Sequence, residues 1–135
     1  MIDVARPSRR IAVVEDNPDN RLLVQAILEE LYQLTEYASG AEALVGLRQA
    51  RPDLVLLDVS MPEMDGLDVI GAIRADDGLR GLPVIALTAH AMSGDRDRFL
   101  AAGFDGYVSK PIVSETVLID AIEALLAPLG RRHPA

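Results

Sequence analysis

The chain has 135 residues, half of them hydrophobic and a quarter charged, with a net charge of −8 and no cysteine or tryptophan. This suits one soluble domain with a real core, and it excludes a disulfide framework, a thiolate metal site and general nucleic-acid binding. No apolar run is long enough to span a bilayer, and no signal-peptide core follows Met1, so the expected setting is cytoplasmic and away from membranes.

Residues 1–9 read as a loose lead-in around Pro7, 10–127 as one folded domain and 128–135 as a tail. Arg10 to Glu15 is a short apolar strand ending in acid. Asp16 follows, then Asn17-Pro18, suited to a helix cap and first helical position. From Asp19 the residues Leu22, Leu23, Ile27, Leu28 and Leu31 recur at helical spacing. Leu34 to Ala38 is a weaker strand. A helix opening at Ser39 or Gly40 turns Ala43, Leu44 and Leu47 inward and ends before Pro52.

Leu54 to Leu57 is unbroken aliphatic sequence, the pattern of a strand buried on both faces of a parallel sheet. Asp58 ends it, and Pro62 and Asp65-Gly66 mark the turn beyond. A helix from Leu67 to Ala75 carries Val69, Ile70 and Ile73, and Asp76-Asp77-Gly78 breaks it. Pro83 to Leu87 is a fourth strand, ending at Thr88. A helix over 91–102 stops at Gly103, and a fifth strand over 106–109 ends in Lys110-Pro111. The last helix spans 114–126 with Val117, Leu118, Ala121, Ile122 and Leu125 facing the core.

Five alternations of strand and helix imply an α/β fold, a doubly wound five-stranded parallel sheet. Right-handed crossovers open every strand C-terminus on one edge, and the order 2-1-3-4-5 puts the switch point between strands 1 and 3. Glu15 and Asp16 then stand beside Asp58. Three crowded carboxylates call for a proton or a cation, and a hard divalent ion such as Mg²⁺ is the natural partner. Zinc is excluded by the missing cysteines and the scattered histidines, His90 and His133. With the Thr88 hydroxyl and the Lys110 ammonium at neighbouring strand ends, the set suits phosphoryl transfer onto a carboxylate.

The Glu15-Asp16 pair, Asp58 with Met61-Pro62 and Met64-Asp65-Gly66, Thr88-Ala89, and Tyr107 ahead of Lys110-Pro111 together resemble the receiver domain of two-component response regulators. The resemblance runs from Arg10 to Leu126 and implies a CheY-like, flavodoxin-like (βα)5 fold. The Ala86-to-Met92 stretch is similar to receivers of hybrid histidine kinases and to single-domain regulators of the DivK type.

The resemblance implies that Asp58 accepts a phosphoryl group from a phosphohistidine. Asp16, Asp58 and the backbone carbonyl of Ser60 would ligate Mg²⁺, or Mn²⁺ in its place, with Glu15 holding a metal-bound water. Lys110 would pair with a phosphoryl oxygen. Thr88 and Tyr107 would act as the switch, reshaping the face made by the fourth helix, fifth strand and fifth helix for a downstream protein. The Lys110–Pro111 bond would be cis, and Ser60 and His90 would flank the site as tuning positions.

The expected role is a bacterial stand-alone regulator without an output domain, phosphorylated by a histidine kinase or histidine phosphotransferase. It would be a monomer or a weak phosphorylation-dependent dimer, catalysing only its own phosphorylation and dephosphorylation. The alternatives are a receiver excised from a hybrid kinase and a phosphorylation-independent binding module. A dehalogenase-type phosphatase needs an acid where Ser60 stands, and a flavodoxin-like carrier needs a phosphate-binding loop that is missing after strand 1.

Overall fold

The computed structural model describes residues 9–89, 95–112 and 114–126. Five strands, β1 (Arg10–Val14), β2 (Gln33–Tyr37), β3 (Leu54–Asp58), β4 (Val84–Thr88) and β5 (Gly106–Ser109), alternate with five helices. The helices are α1 (Pro18–Leu28), α2 (Gly40–Gln49), α3 (Gly66–Ala75), α4 (Asp95–Ala102) and α5 (Glu115–Leu126). The strands form one parallel sheet in the order β2-β1-β3-β4-β5. Every residue of β3 and β4 is buried, as uninterrupted aliphatic strands between two helical layers must be.

Two cores result, one on each face of the sheet. Leu44, Leu47, Val69, Ile73 and Phe99 of α2, α3 and α4 cover one face. Val24, Leu28, Leu118 and Ile122 of α1 and α5 cover the other. Helix starts follow local capping chemistry. The Asn17 side chain accepts from the N–H groups of Asp19 and Asn20, and Ser39 accepts from Glu42. Asp65 and Asp68 form a reciprocal capping box that fixes the start of α3. Asp65 is thus a cap, as its place in a turn suggested.

Two helical faces depart from the sequence reading. On α1 the core side is Val24 and Leu28, whereas Leu22 and Leu23 are exposed, as is Leu31 beyond the helix end. Successive residues turn about 100° around a helix, so setting Val24 and Leu28 on the sheet turns Leu22 and Leu23 away from it. On α5, Val117 is likewise exposed, and Leu126 takes the core place at the other end. Boundaries move slightly. β1 stops at Val14, although the Glu15 N–H still donates to the Tyr37 carbonyl, and β2 starts one residue early at Gln33. His90, His133, the start of the helix expected over 91–102, and nearly all of the lead-in and tail lie outside the described residues.

The loop after β3 is held close to Asp58. Met61 is buried in the core, Met64 donates its N–H to the Pro62 carbonyl, and Glu63 between them has φ 66°. Gly66 donates to the Val59 carbonyl, and a Cβ there would stand 2.6 Å from both the Asp58 carbonyl oxygen and Val59 Cα. Only glycine permits that approach. Gly71, in the same helix, has nothing within 4 Å of an added Cβ. Gly66→Ala should therefore lower stability by about 1–3 kcal/mol, while Gly71→Ala raises it by about 0.5–1 kcal/mol. Urea unfolding of both variants checks the contrast.

Candidate functional site

The site assembles at the C-terminal edge of the sheet because β1, β3, β4 and β5 all end there. Glu15 and Asp16 follow β1, Asp58 closes β3, Thr88 closes β4 and Lys110 follows β5. Carboxylate oxygens of Glu15, Asp16 and Asp58 lie within 4.8 Å of one another. Glu15, Asp58 and Thr88 are each only 1% exposed. Lys110 Nζ donates to Glu15 Oε1 at 3.1 Å and stands 3.2 Å from Asp58 Oδ1. The Lys110 N–H donates to the Thr88 carbonyl at 2.8 Å, which ties the last two strand ends together.

Backbone donors complete the cradle. The Ser60 N–H donates to Asp58 Oδ1 at 3.0 Å, and the Asn17 N–H donates to Glu15 Oε2 at 3.2 Å. The two buried acids divide their protonation. Burial, then the neighbouring Glu15 carboxylate, pushes Asp58 up to about 6, against the opposing Ser60 N–H and Lys110 charge. Burial would raise Glu15 too, but hydrogen bonds from Asp58, Asn17 and Lys110 hold it below the usual range. Burial works against the Lys110 ammonium, yet the two carboxylates raise its pKa and keep it charged.

An all-oxygen set of three acids, two of them buried, fits a hard cation such as Mg²⁺. One ammonium offsets part of the negative charge, and a divalent ion would neutralise the rest. The Lys110–Pro111 peptide is cis. Ser60 is exposed at the rim, and Tyr107 is half-buried with its ring 6.4 Å from that of Phe99. Beside the acids a cleft of about 270 Å³ opens between α1 and the end of β5, lined by Leu23, Val24, Leu87, Pro111 and Ile112, with Glu15 and Lys110 in its wall.

The structure thus brings together Glu15, Asp16, Asp58 and Lys110, with Thr88 at the adjoining strand end. It keeps Tyr107 one strand further out, against Phe99. Sequence reasoning missed Arg21, whose guanidinium donates to the Glu15 and Asp16 carbonyls at 2.7 and 3.2 Å. It also overlooked that Lys110 is the chain's sole lysine among twelve arginines, a signal that a compact ammonium is wanted at that position.

Comparison with known proteins agrees with this geometry. The response regulator receiver domain family matches residues 11–123. The polar-differentiation response regulator DivK of Brucella anthropi is 41% identical over 119 residues, covering 87% of this chain and 96% of that protein. The DivK of Brucella ovis is 40% identical over 120 residues, covering 88% and 97%. Among solved structures, the receiver domain of a Pseudomonas aeruginosa sensor histidine kinase, described with a magnesium ion coordinated in its active site cleft, superposes with a TM-score of 0.81. It is 36% identical, covering 89% of this chain and 98% of that one. The chemotaxis protein CheY4 of Vibrio cholerae also gives 0.81, at 27% identity with 87% and 98% covered.

The raised pKa of Asp58 has a stability consequence of definite sign. Between its ordinary value of 3.8 and about 6 the folded state binds more protons than the unfolded chain, so stability falls as pH rises through that window. Asn cannot ionise. Without divalent cation, Asp58→Asn should be more stable than the parent protein at pH 7–8 by on the order of 1–3 kcal/mol. The difference should shrink toward pH 4 and also on adding Mg²⁺. Thermal unfolding across pH, with and without Mg²⁺, measures it.

Proposed function

This chain belongs to the response regulator receiver domain family of two-component systems, and from that premise we propose that it is a Mg²⁺-dependent phosphoaspartate switch. The supporting observation is the Asp58 carboxylate, buried at the end of the third strand, within reach of two further acids and 3.2 Å from an ammonium. In the proposed reaction an Asp58 oxygen attacks the phosphorus of a phosphohistidine. The P–N bond breaks, the histidine leaves, and an acyl phosphate remains on Asp58.

Asp16, Asp58 and the Ser60 carbonyl are the proposed ligands of the cation, with Glu15 holding a bound water. When bound, Mg²⁺ neutralises the acids and the phosphoryl oxygens. Lys110 pairs with one phosphoryl oxygen, released from its present contact with Asp58. The Ser60 N–H stays directed at the reacting carboxylate. Thr88 turns its hydroxyl to the new group, and Tyr107 moves in from its place against Phe99. The face of α4, β5 and α5 then changes for a downstream protein. Residues 10–127 act as the switching unit in the bacterial cytoplasm, acting on no substrate besides their own phosphoryl group.

The proposed donor is a histidine kinase or histidine phosphotransferase, docking on the apolar cleft between α1 and the end of β5. Exposed Leu23 lines that cleft, with exposed Leu22 beside it in the sequence of α1. The span of the match to DivK, 96% of that protein, supports a single-domain regulator. A receiver within a hybrid kinase is the second reading, supported by the 36% identity to the Pseudomonas receiver. Both share the Asp58 chemistry.

Intact mass after incubation with acetyl phosphate or a phosphorylated histidine phosphotransferase tests the reading. One phosphoryl group should be added with Mg²⁺, and none with EDTA or in Asp58→Asn. Gain of the same mass by Asp58→Asn would overturn the nucleophile. Failure of the parent protein with both donors would leave a phosphorylation-independent binding module. Leu23→Glu should slow transfer from the phosphotransferase by about tenfold while leaving labelling by acetyl phosphate unchanged. Equal slowing with both donors would refute the docking cleft.

A further inference from the structure

We infer that Arg21 is a positioning residue for the cation site, acting on Glu15 and Asp16 through their backbone and not through their carboxylates. The inference deepens the proposed function and rests on it for the identity of the ion. Arg21 lies on the second turn of α1, and one of its nitrogens, Nη1, reaches back across the helix start to two successive carbonyls. It stands 2.7 Å from the Glu15 oxygen and 3.2 Å from the Asp16 oxygen. Its Nε faces Glu36 of β2 at 3.7 Å, with the Arg21 side chain partly covered and Glu36 on the exposed side of β2. The guanidinium is therefore held from one side while it holds the chain on the other. A planar fork with fixed donor directions can do both at once.

The two acids differ in what else aims them. Glu15 receives direct hydrogen bonds on both carboxylate oxygens, from Lys110 Nζ and from the Asn17 N–H. Asp16 is half-exposed, and among the described residues no donor to its carboxylate is found. A short side chain without a partner points where its backbone sends it. The backbone at Asp16 has left the β1 ladder, which ends at Val14, and α1 does not begin until Pro18. The last ladder contact is the Glu15 N–H on the Tyr37 carbonyl at 3.0 Å. Beyond it, Arg21 is the group gripping both the Glu15–Asp16 and the Asp16–Asn17 peptides. Removing it frees the rotation that separates the Asp16 carboxylate from those of Glu15 and Asp58.

This predicts a loss in cation affinity with the chemistry at Asp58 spared. Groups that orient metal ligands typically contribute roughly 10–100-fold in affinity. Arg21→Met keeps the stem and removes every donor. Calorimetric titration with MgCl₂ should show its Kd raised at least about tenfold. In acetyl phosphate labelling, the half-saturating Mg²⁺ concentration should rise in parallel, and the rate at saturating Mg²⁺ should fall far less. A residue needed only for folding would lower the maximal rate or the folded fraction without this split. Arg21→Lys retains one donor but not the fork, so its Kd should fall between the two. Arg48→Met, at the opposite end of the sheet, should leave Kd unchanged.

A folded Arg21→Met with the parent's Kd overturns the inference and leaves the proposed function intact. If Arg21→Met does not fold, a folded Arg21→Lys with the parent's Kd overturns it equally. No calorimetric Mg²⁺ binding by the parent protein, combined with no phosphate incorporation, would overturn both.

Discussion

Burying two carboxylates beside each other is the constraint on which this molecule turns. Glu15 and Asp58 are both 1% exposed, with Asp16 at the rim. Like charges this close in a medium that screens poorly cannot all remain ionised without compensation. The chain supplies only part of it, through one ammonium and two backbone N–H groups. Burial first, and then the neighbouring Glu15 carboxylate, leave the pKa of Asp58 raised. A domain that folds around partly uncompensated negative charge offers a cation a place to bind, and in the proposed reaction that cation would let Asp58 carry a phosphoryl group beside Lys110. The energetic cost of the site and its capacity for chemistry are therefore one property.

The sheet tolerates that cost because β3 and β4 are apolar and buried up to their last residues. β3 runs Leu54-Val55-Leu56-Leu57 before reaching Asp58, and β4 runs Val84-Ile85-Ala86-Leu87 before Thr88. Apolar packing on both faces anchors each strand, so the strand ends are held rigidly at the edge where the charges meet. The loop beyond β3 is held as firmly. Met61 plugs into the core, Gly66 closes against the Asp58 carbonyl, and the Asp65–Asp68 capping box starts α3 at once. Preorganisation here comes from hydrophobic anchoring, with polar groups only at the tips.

This division explains what could be read in the sequence. Doubly buried parallel strands are aliphatic runs, and their ends are marked by abrupt polar residues, so Glu15, Asp58, Thr88 and Lys110 were legible. So was their meeting, because right-handed crossovers and the strand order leave one edge for all of them. Helical faces were harder. Leu22, Leu23 and Leu28 all satisfy a helical periodicity, yet only Leu28 of these meets the sheet, and Val24 joins it there. Periodicity reports that a stripe exists but not which of two adjacent stripes is buried. Val117 failed for the same reason, with Leu126 in the core instead. Arg21 was illegible because its bonds go to carbonyls, and carbonyls leave no signature in a sequence.

The misread leucines carry meaning of their own. A helix that exposes Leu22 and Leu23 forgoes part of the burial its composition offers. Leu23 lines the cleft whose wall contains Glu15 and Lys110, so the exposed apolar surface continues directly into the charged site. Arg21 sits between those leucines and the acids, on the same helix. Its guanidinium binds α1 to the carbonyls of Glu15 and Asp16. A donor docking as proposed on Leu23 would therefore press on the helix whose Arg21 holds the Glu15 and Asp16 carbonyls. In the proposed reading, docking and cation geometry meet on α1, with Arg21 linking an apolar surface to a buried charge cluster.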